Sequence, residues 1–343
     1  MLPASLGAPV AREPLTHGSG NAATGGIWRV TGTAGTAILK VAHPPGARDG
    51  SPSWQTSDEP THWNYWRRES LALGSGFAHT ALAGSGIAAP RVLEAVEAAD
   101  GSVALCLAEV AGTHGPQWTV DRYGEFARRL GVVQARYADR VPDEPWLSRD
   151  WLAQYVAARH FPVPVPSDWA LTGWPDRVVS VLAGLWDRRE SLVARARRGP
   201  RTLCHLDVWP MNLIDTSSGF VLLDWAFVGG GAIGEDIANL VIDSVTDGLV
   251  DGRLLPAIAD TAIEGYLSGL RSGGWRGSPD AVRDAIAACG AAKYCWFAPA
   301  IVARAARDGD VNSPSYGRHG STAAAFAGLT ELAMLIADWS TPG

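Results

Sequence analysis

Cysteine is scarce in this chain: Cys106, Cys204, Cys289 and Cys295 are the four among 343 residues. None shows CxxC spacing, which excludes a disulfide framework and a cysteine-based zinc site and leaves reduced, mostly buried thiols as the expectation. Long apolar runs are missing as well. No eighteen apolar residues follow one another, and residues 1–10 lack a basic stretch ahead of an apolar core, so no membrane partner and a cytoplasmic location are expected. Basic charge is in deficit: the formal net charge is −6. That argues against nucleic acid as a partner, because phosphate backbones are held by clustered Lys and Arg. Neither a heptad seam nor a repeat of fixed period is present.

What is present describes a globular chain with a large core. Hydrophobic residues make up 47% and charged residues 19%, a mixture too apolar for disorder. The length exceeds that of one ordinary hydrophobic core, so two lobes with a cleft between them are expected. Fifteen tryptophans are unusual. Trp63 and Trp66 lie at helical spacing beside charged residues, which favours core packing over a platform for substrate stacking.

The first part of the chain reads as strands around one helix. Residues 18–26, GSGNAATGG, are small and lead into IWRVTG and TAILKVA, two strand-like stretches that form a hairpin. A Pro/Gly/Ser-rich connection over 43–59 precedes a helical pattern over 61–77. Strands are expected at 90–96 and 102–110, joined by the turn Ala99-Asp100-Gly101. Past Gly112 the periodicity changes, and 120–137, 148–159 and 174–198 read as amphipathic helices. The polar stretch 304–318 reads as a loop between the last two helices. The expected fold is α+β, with a small antiparallel lobe over 1–111 and a mainly helical lobe over 112–343.

The chemistry concentrates in His205-Leu206-Asp207 followed by Asn212, an H-x-D-x4-N pattern, and in Asp224 at the end of the apolar run FVLL. Phosphoryl transfer needs a carboxylate to orient and deprotonate an acceptor hydroxyl, and oxygen ligands to hold magnesium against nucleotide phosphates. Asp207 suits the first role, Asn212 and Asp224 the second. His205 suits a structural role that orients the loop. Asp215, ahead of TSSG, reads as a turn residue outside the site.

These segments, HLDVWPMN and VLLDWAFVGGGAIGEDIANL, resemble the catalytic loop and metal-binding segment of aminoglycoside phosphotransferases and their relatives among choline and sugar kinases. The resemblance covers residues 14–245 and implies a bilobal protein kinase-like fold. It implies that Lys40 in AILKVA grips the α- and β-phosphates of ATP and that Glu69 in WRRESLAL is its ion-pair partner. It places Glu109, Val110 and Ala111 in a linker whose backbone meets the adenine edge, and Asp236 in a buried structural role. Gly20 and Asn21, in the small-residue loop, are assigned to the phosphates by position, since the loop lacks the G-x-G-x-x-G spacing. Two departures stand out: Leu206 replaces a glycine of the family loop, and Trp225-Ala226 stand where protein kinases have Phe-Gly.

The implied activity is transfer of the γ-phosphoryl group of ATP, with GTP left open as donor and Mg2+ as cofactor, to a hydroxyl of a small molecule such as an aminoglycoside, another antibiotic or an amino sugar. A kinase acting on Ser or Thr of a natural-product precursor peptide and a catalytically inactive binding module are the alternatives. The absence of an A-P-E segment after Asp224 disfavours a general protein kinase. Asp243, Asp247, Tyr294 and Trp296 are candidates for acceptor contact.

Overall fold

The computed structural model describes residues 3–18, 20–312 and 316–341. Met1 and Leu2 of the N-terminal segment, Ser19 of the small-residue loop, 313–315 of the late polar stretch and the last two residues lie outside the described residues. In chain order the strands are β1 (Pro9–Pro14), β2 (Thr24–Gly32), β3 (Gly35–Ala42), β4 (Ile87–Ala88), β5 (Val92–Glu97), β6 (Val103–Ala108), β7 (Thr113–His114), β8 (Ser148–Arg149), β9 (Arg201–Cys204), β10 (Leu213–Thr216), β11 (Gly219–Leu222) and β12 (Gly229–Ala232). The helices are α1 (Arg68–Gly74), α2 (Phe77–Leu82), α3 (Val120–Arg136), α4 (Trp151–Ala157), α5 (Asp176–Ala183), α6 (Arg189–Ala196), α7 (Glu235–Asp243), α8 (Leu255–Ser272), α9 (Pro279–Lys293), α10 (Phe297–Asp308), α11 (Thr322–Gly328) and α12 (Thr330–Trp339).

The larger sheet is antiparallel in the order β1-β2-β3-β6-β5. Strand residues alternate between faces, and β3 uses this to aim its lysine. Ala37 and Leu39 pack with Leu6, Val30 and Cys106 on one side. Ile38 packs against the main core on the other, so Lys40 shares the face turned toward the helical body. Its register neighbours are Ile27 and Leu105. The edge strand β1 has no counterpart in the sequence reading: all its residues are exposed and a proline stands at each end, a composition tolerated at a sheet edge.

Several helices are shorter than their periodicity suggests, each for a local reason. The pattern over 61–77 becomes α1 and α2 alone, because the buried Arg68 takes the carbonyls of Pro60, His62 and Trp63, which a helix would use internally. The pattern over 174–198 splits into α5 and α6, with Gly184 capping the first. At 148–159, Ser148 and Arg149 belong to β8 and the helix begins only at Trp151, after Asp150 at φ 58°. Helix α10 absorbs Arg304 and runs to Asp308, where Gly309 at φ 70° ends it. The polar stretch therefore begins later than expected and precedes two helices, α11 and α12.

One hydrophobic cluster runs from Leu105 and Leu107 of β6 through the helices to α12. Trp63 and Trp66 are buried, as are all four cysteines. The stretch Pro279–Asp308 is apolar enough to cross a membrane by composition, but 89% of its most apolar eighteen-residue window is buried inside the protein, where it serves as core. Helices α3 and α8 lie unusually close. A Cβ at Gly265 or Gly269 would collide with the carbonyls of Gly124 and Arg128, so glycine is required for this approach. The pair matters because Gln134 and Tyr266, one from each helix, brace the start of α7 at Asp236 and Gly234.

Candidate active site

The loop after β9 is built on Asp236, at the N-terminal end of α7. Its carboxylate accepts from the backbone N–H groups of His205 at 2.8 Å and Leu206 at 2.7 Å, and from Gln134 Nε2 at 2.7 Å. Gln134 is fixed in turn by the Tyr266 hydroxyl. The buried structural role expected for Asp236 is observed. This grip explains how Leu206, in the place of a family glycine, holds a left-handed φ of 69°: its side chain is buried and its N–H is clamped. The His205 ring is buried edge-on against Trp225, with centroids 5.1 Å apart. Burial pushes the imidazole down to about 4, so it is neutral at ordinary pH.

Asp207 follows and faces the cleft. Asn212 Nδ2 donates to Asp207 Oδ2 at 2.9 Å and to the Asp207 carbonyl at 3.0 Å. The intervening turn is closed by Asn212 N–H to the Trp209 carbonyl, and Asn239 holds the Val208 carbonyl at 2.8 Å. Burial, with the charge of Asp224 added, raises the Asp207 carboxyl to about 7. The β10–β11 hairpin then returns the chain, Leu223 N–H bonds the Asn212 carbonyl at 2.8 Å, and Asp224 follows at φ 58°.

Lys40 Nζ stands 2.6 Å from Glu69 and 2.8 Å from Asp224. Burial alone would lower this ammonium, but Asp224 and Glu69 outweigh it and hold it above its ordinary range. One lysine cannot neutralise two buried carboxylates. Burial accordingly raises Glu69 to about 7 despite Lys40, whereas at Asp224 the lysine wins over burial and lowers the carboxyl. Arg68 ties this trio to the scaffold: Nη1 donates to the Ala226 carbonyl at 3.0 Å and Nε to the Trp146 carbonyl at 2.8 Å.

Part of this set borders a cavity of about 470 Å³; Lys40, Glu69 and His205 do not line it, Lys40 reaching its edge through the ion pair with Asp224. Gly20, Asn21, Asp207, Asn212 and Asp224 line it, together with Asp243, Asp247, Tyr294 and Trp296. Glu109, Val110 and Ala111 do not. Glu109 pairs with Arg29 at 2.7 Å on the sheet instead. Asp215 lies in β10, not in a turn, and forms an ion pair with Arg122. Sequence reasoning missed Arg159 and Lys293, which also line the cavity. The available signal was a lone lysine inside the apolar run AACGAAKYCWF, a position where a cation is buried only with partners.

The donor set fits a magnesium–nucleotide complex. Among the described residues no three His, Cys, Asp or Glu side chains are grouped to cage a metal. Asn212 and Asp224 offer two oxygens, which suits an ion that takes its remaining ligands from phosphates and water. The surplus negative charge of Asp207, Asp224 and Glu69 over Lys40 favours a cation at the same place.

The solved amicoumacin kinase hAmiN, in complex with AMP-PNP, Ca2+ and Ami, is similar at 15% identity with a TM-score of 0.55, covering 98% of this chain and 91% of that one. The choline kinase LicA from Streptococcus pneumoniae is similar at 14% identity and TM-score 0.52, over 96% of this chain and 94% of that one. An aminoglycoside phosphotransferase from Alicyclobacillus acidocaldarius subsp. acidocaldarius DSM 446 is similar at 17% identity and TM-score 0.50, over 97% and 90%. At such identities these likenesses establish the bilobal kinase-like α+β fold. No curated protein matches by sequence. The sequence model of the phosphotransferase enzyme family matches residues 17–276. With most of its length matched and the Lys40–Asp224 and Asp207–Asn212 pairs assembled at one cleft, the chain belongs to the phosphotransferase enzyme family, as a small-molecule kinase with a hydroxyl acceptor.

Proposed function

We propose that the protein transfers the γ-phosphoryl group of ATP to a hydroxyl of an antibiotic, amino sugar or comparable small alcohol, with Asp207 as the base. The observation that carries this reading is the Asp207 carboxylate, oriented by Asn212 and opening into a cavity that has Asp224 and the Gly20–Asn21 loop on its border. Asp207 accepts the hydroxyl proton, the acceptor oxygen bonds to phosphorus, and the bond to the ADP leaving oxygen breaks. Lys40 holds the phosphates and is itself positioned by Glu69. Magnesium on Asn212 and Asp224, when bound, neutralises phosphate charge. The resemblance, and not the lining of the cavity, assigns the backbone at Glu109, Val110 and Ala111 to the adenine edge.

The test is transfer from ATP or GTP with Mg2+ to a pooled panel of aminoglycosides, amino sugars, hydroxy acids, small alcohols and Ser/Thr peptides, read as phosphoryl mass gain. A product that disappears with Asp207→Asn supports the reading. Failure to bind nucleotide and Mg2+ overturns it.

The raised Asp207 carboxyl makes the reaction pH-dependent with a definite sign. Below about 7 Asp207 is protonated and cannot accept a proton, so kcat/KM should rise with pH through an acid limb displaced upward from the ordinary carboxylate range toward 7. An initial-rate profile from pH 5 to 9 measures it. A limb at ordinary carboxylate pH places the base elsewhere.

A further inference from the structure

The part of the cavity beyond Asp207 is aromatic and carries cations. Arg159 is 5% exposed and lies with its guanidinium 4.0 Å from the Tyr155 ring centroid and 4.6 Å from that of Trp54. Nε donates to the Tyr155 carbonyl at 3.2 Å and Nη2 to the Ser53 carbonyl. Among the described residues no carboxylate stands within 4.0 Å of it. A buried guanidinium at a cavity wall without an acid is costly, and aromatic faces offset that cost only in part.

The neighbouring charges do not supply the missing acid. Lys293 Nζ lies 3.8 Å from Asp243 and 5.1 Å from the Trp151 ring centroid. Asp243 also accepts from Asn239 at 2.9 Å. Arg304 lines the same cavity and donates to the carbonyls of Val311 and Asn312. Three cations, Arg159, Lys293 and Arg304, line the cavity beside Asp207, Asp243 and Asp247, and Asp243 is already paired with Lys293. A polycationic acceptor needs carboxylates in excess of cations, because like charges in a desolvated pocket repel.

We propose that the acceptor is an alcohol with a ring-bearing apolar body and a carboxylate, the ring lying against Trp54 and Trp296 and the carboxylate on Arg159. The proposal rests on the phosphotransferase reading and narrows its acceptor. Bidentate Arg–carboxylate pairing supplies both the affinity and the direction in which the hydroxyl faces Asp207. Polyamine sugars are thereby disfavoured.

Three probes of one shape test it: para-hydroxymethyl benzoate, its amide, and para-hydroxymethyl benzylamine, each titrated calorimetrically into the full chain with AMP-PNP and Mg2+. The benzoate should bind about tenfold more tightly than the benzylamine, with the amide between, as one desolvated charge pair provides. Arg159→Gln should reduce that preference to about twofold, and Arg159→Lys, which keeps the charge but not the planar fork, should fall between. The ranking on the unmodified protein needs no variant, so a misfolded Arg159→Gln leaves the test intact. Equal or tighter binding of the benzylamine overturns the proposal. So does binding of none of the probes while AMP-PNP still binds, an outcome that leaves the phosphotransferase reading standing. Loss of AMP-PNP binding itself fails both.

Discussion

Asp207→Asn should lower kcat by about three powers of ten, the range for losing a positioned general base, while nucleotide affinity stays within about twofold. The substitution keeps the shape of the side chain, and its amide oxygen can still accept from Asn212 Nδ2, so the turn between them should survive. What disappears is the group that takes the hydroxyl proton. The Lys40–Glu69–Asp224 cluster, proposed to serve the nucleotide, is untouched. A fall in kcat with unchanged KM for ATP is therefore the expected pattern, measured by initial rates and confirmed by nucleotide titration. Near-normal kcat would remove the base from this loop.

Arg68→Met should destabilise the fold by roughly 3–5 kcal/mol, the range for breaking a buried charged network. Five backbone carbonyls accept from this one guanidinium: Pro60, His62, Trp63, Trp146 and Ala226. Its burial has a cost, since desolvation lowers its pKa to about 9. Methionine removes that cost but leaves five buried acceptors without donors, and the second effect is larger. Arg68→Lys, with fewer donors and no planar fork, should fall between. Urea unfolding of the three proteins reads the order. A loss under about 1 kcal/mol would show that water or backbone movement satisfies those carbonyls.

Residues that act through local spacing were legible in the sequence, and residues that act through assembly were not. The interval from His205 to Asn212 is one loop, so its pattern appears as a short string, and Asp224 ends the hairpin that follows. Lys40 and Glu69 were placed by resemblance and meet at 2.6 Å. Arg159 escaped because nothing near it in sequence marks it. Its partners Ser53 and Trp54 lie more than a hundred positions away. The helical pattern over 61–77 misled for the opposite reason: its periodicity was real, but a tertiary demand, the carbonyls taken by Arg68, overrode it. The tryptophans divided by the same logic. Trp63 and Trp66 fill the core, while Trp54, Trp151 and Trp296 border the cavity.

Lys40 and Lys293 are the only lysines in the sequence, and apart from the eight histidines every other basic side chain is an arginine. Both are enclosed, with side chains 12% and 7% exposed. Apart from the α-amino group, the surface thus offers no primary amine to acylating reagents. Treating the native protein with an N-hydroxysuccinimide ester should leave both side chains nearly unlabelled, and peptide mass mapping would show it. Label that does appear at these positions reports opening of the cleft. Bound nucleotide should suppress it at Lys40, and a ring-bearing carboxylate should suppress it at Lys293. A composition bias toward arginine has thereby made amine chemistry a footprint of Lys293 on the cavity wall and of Lys40 behind Asp224.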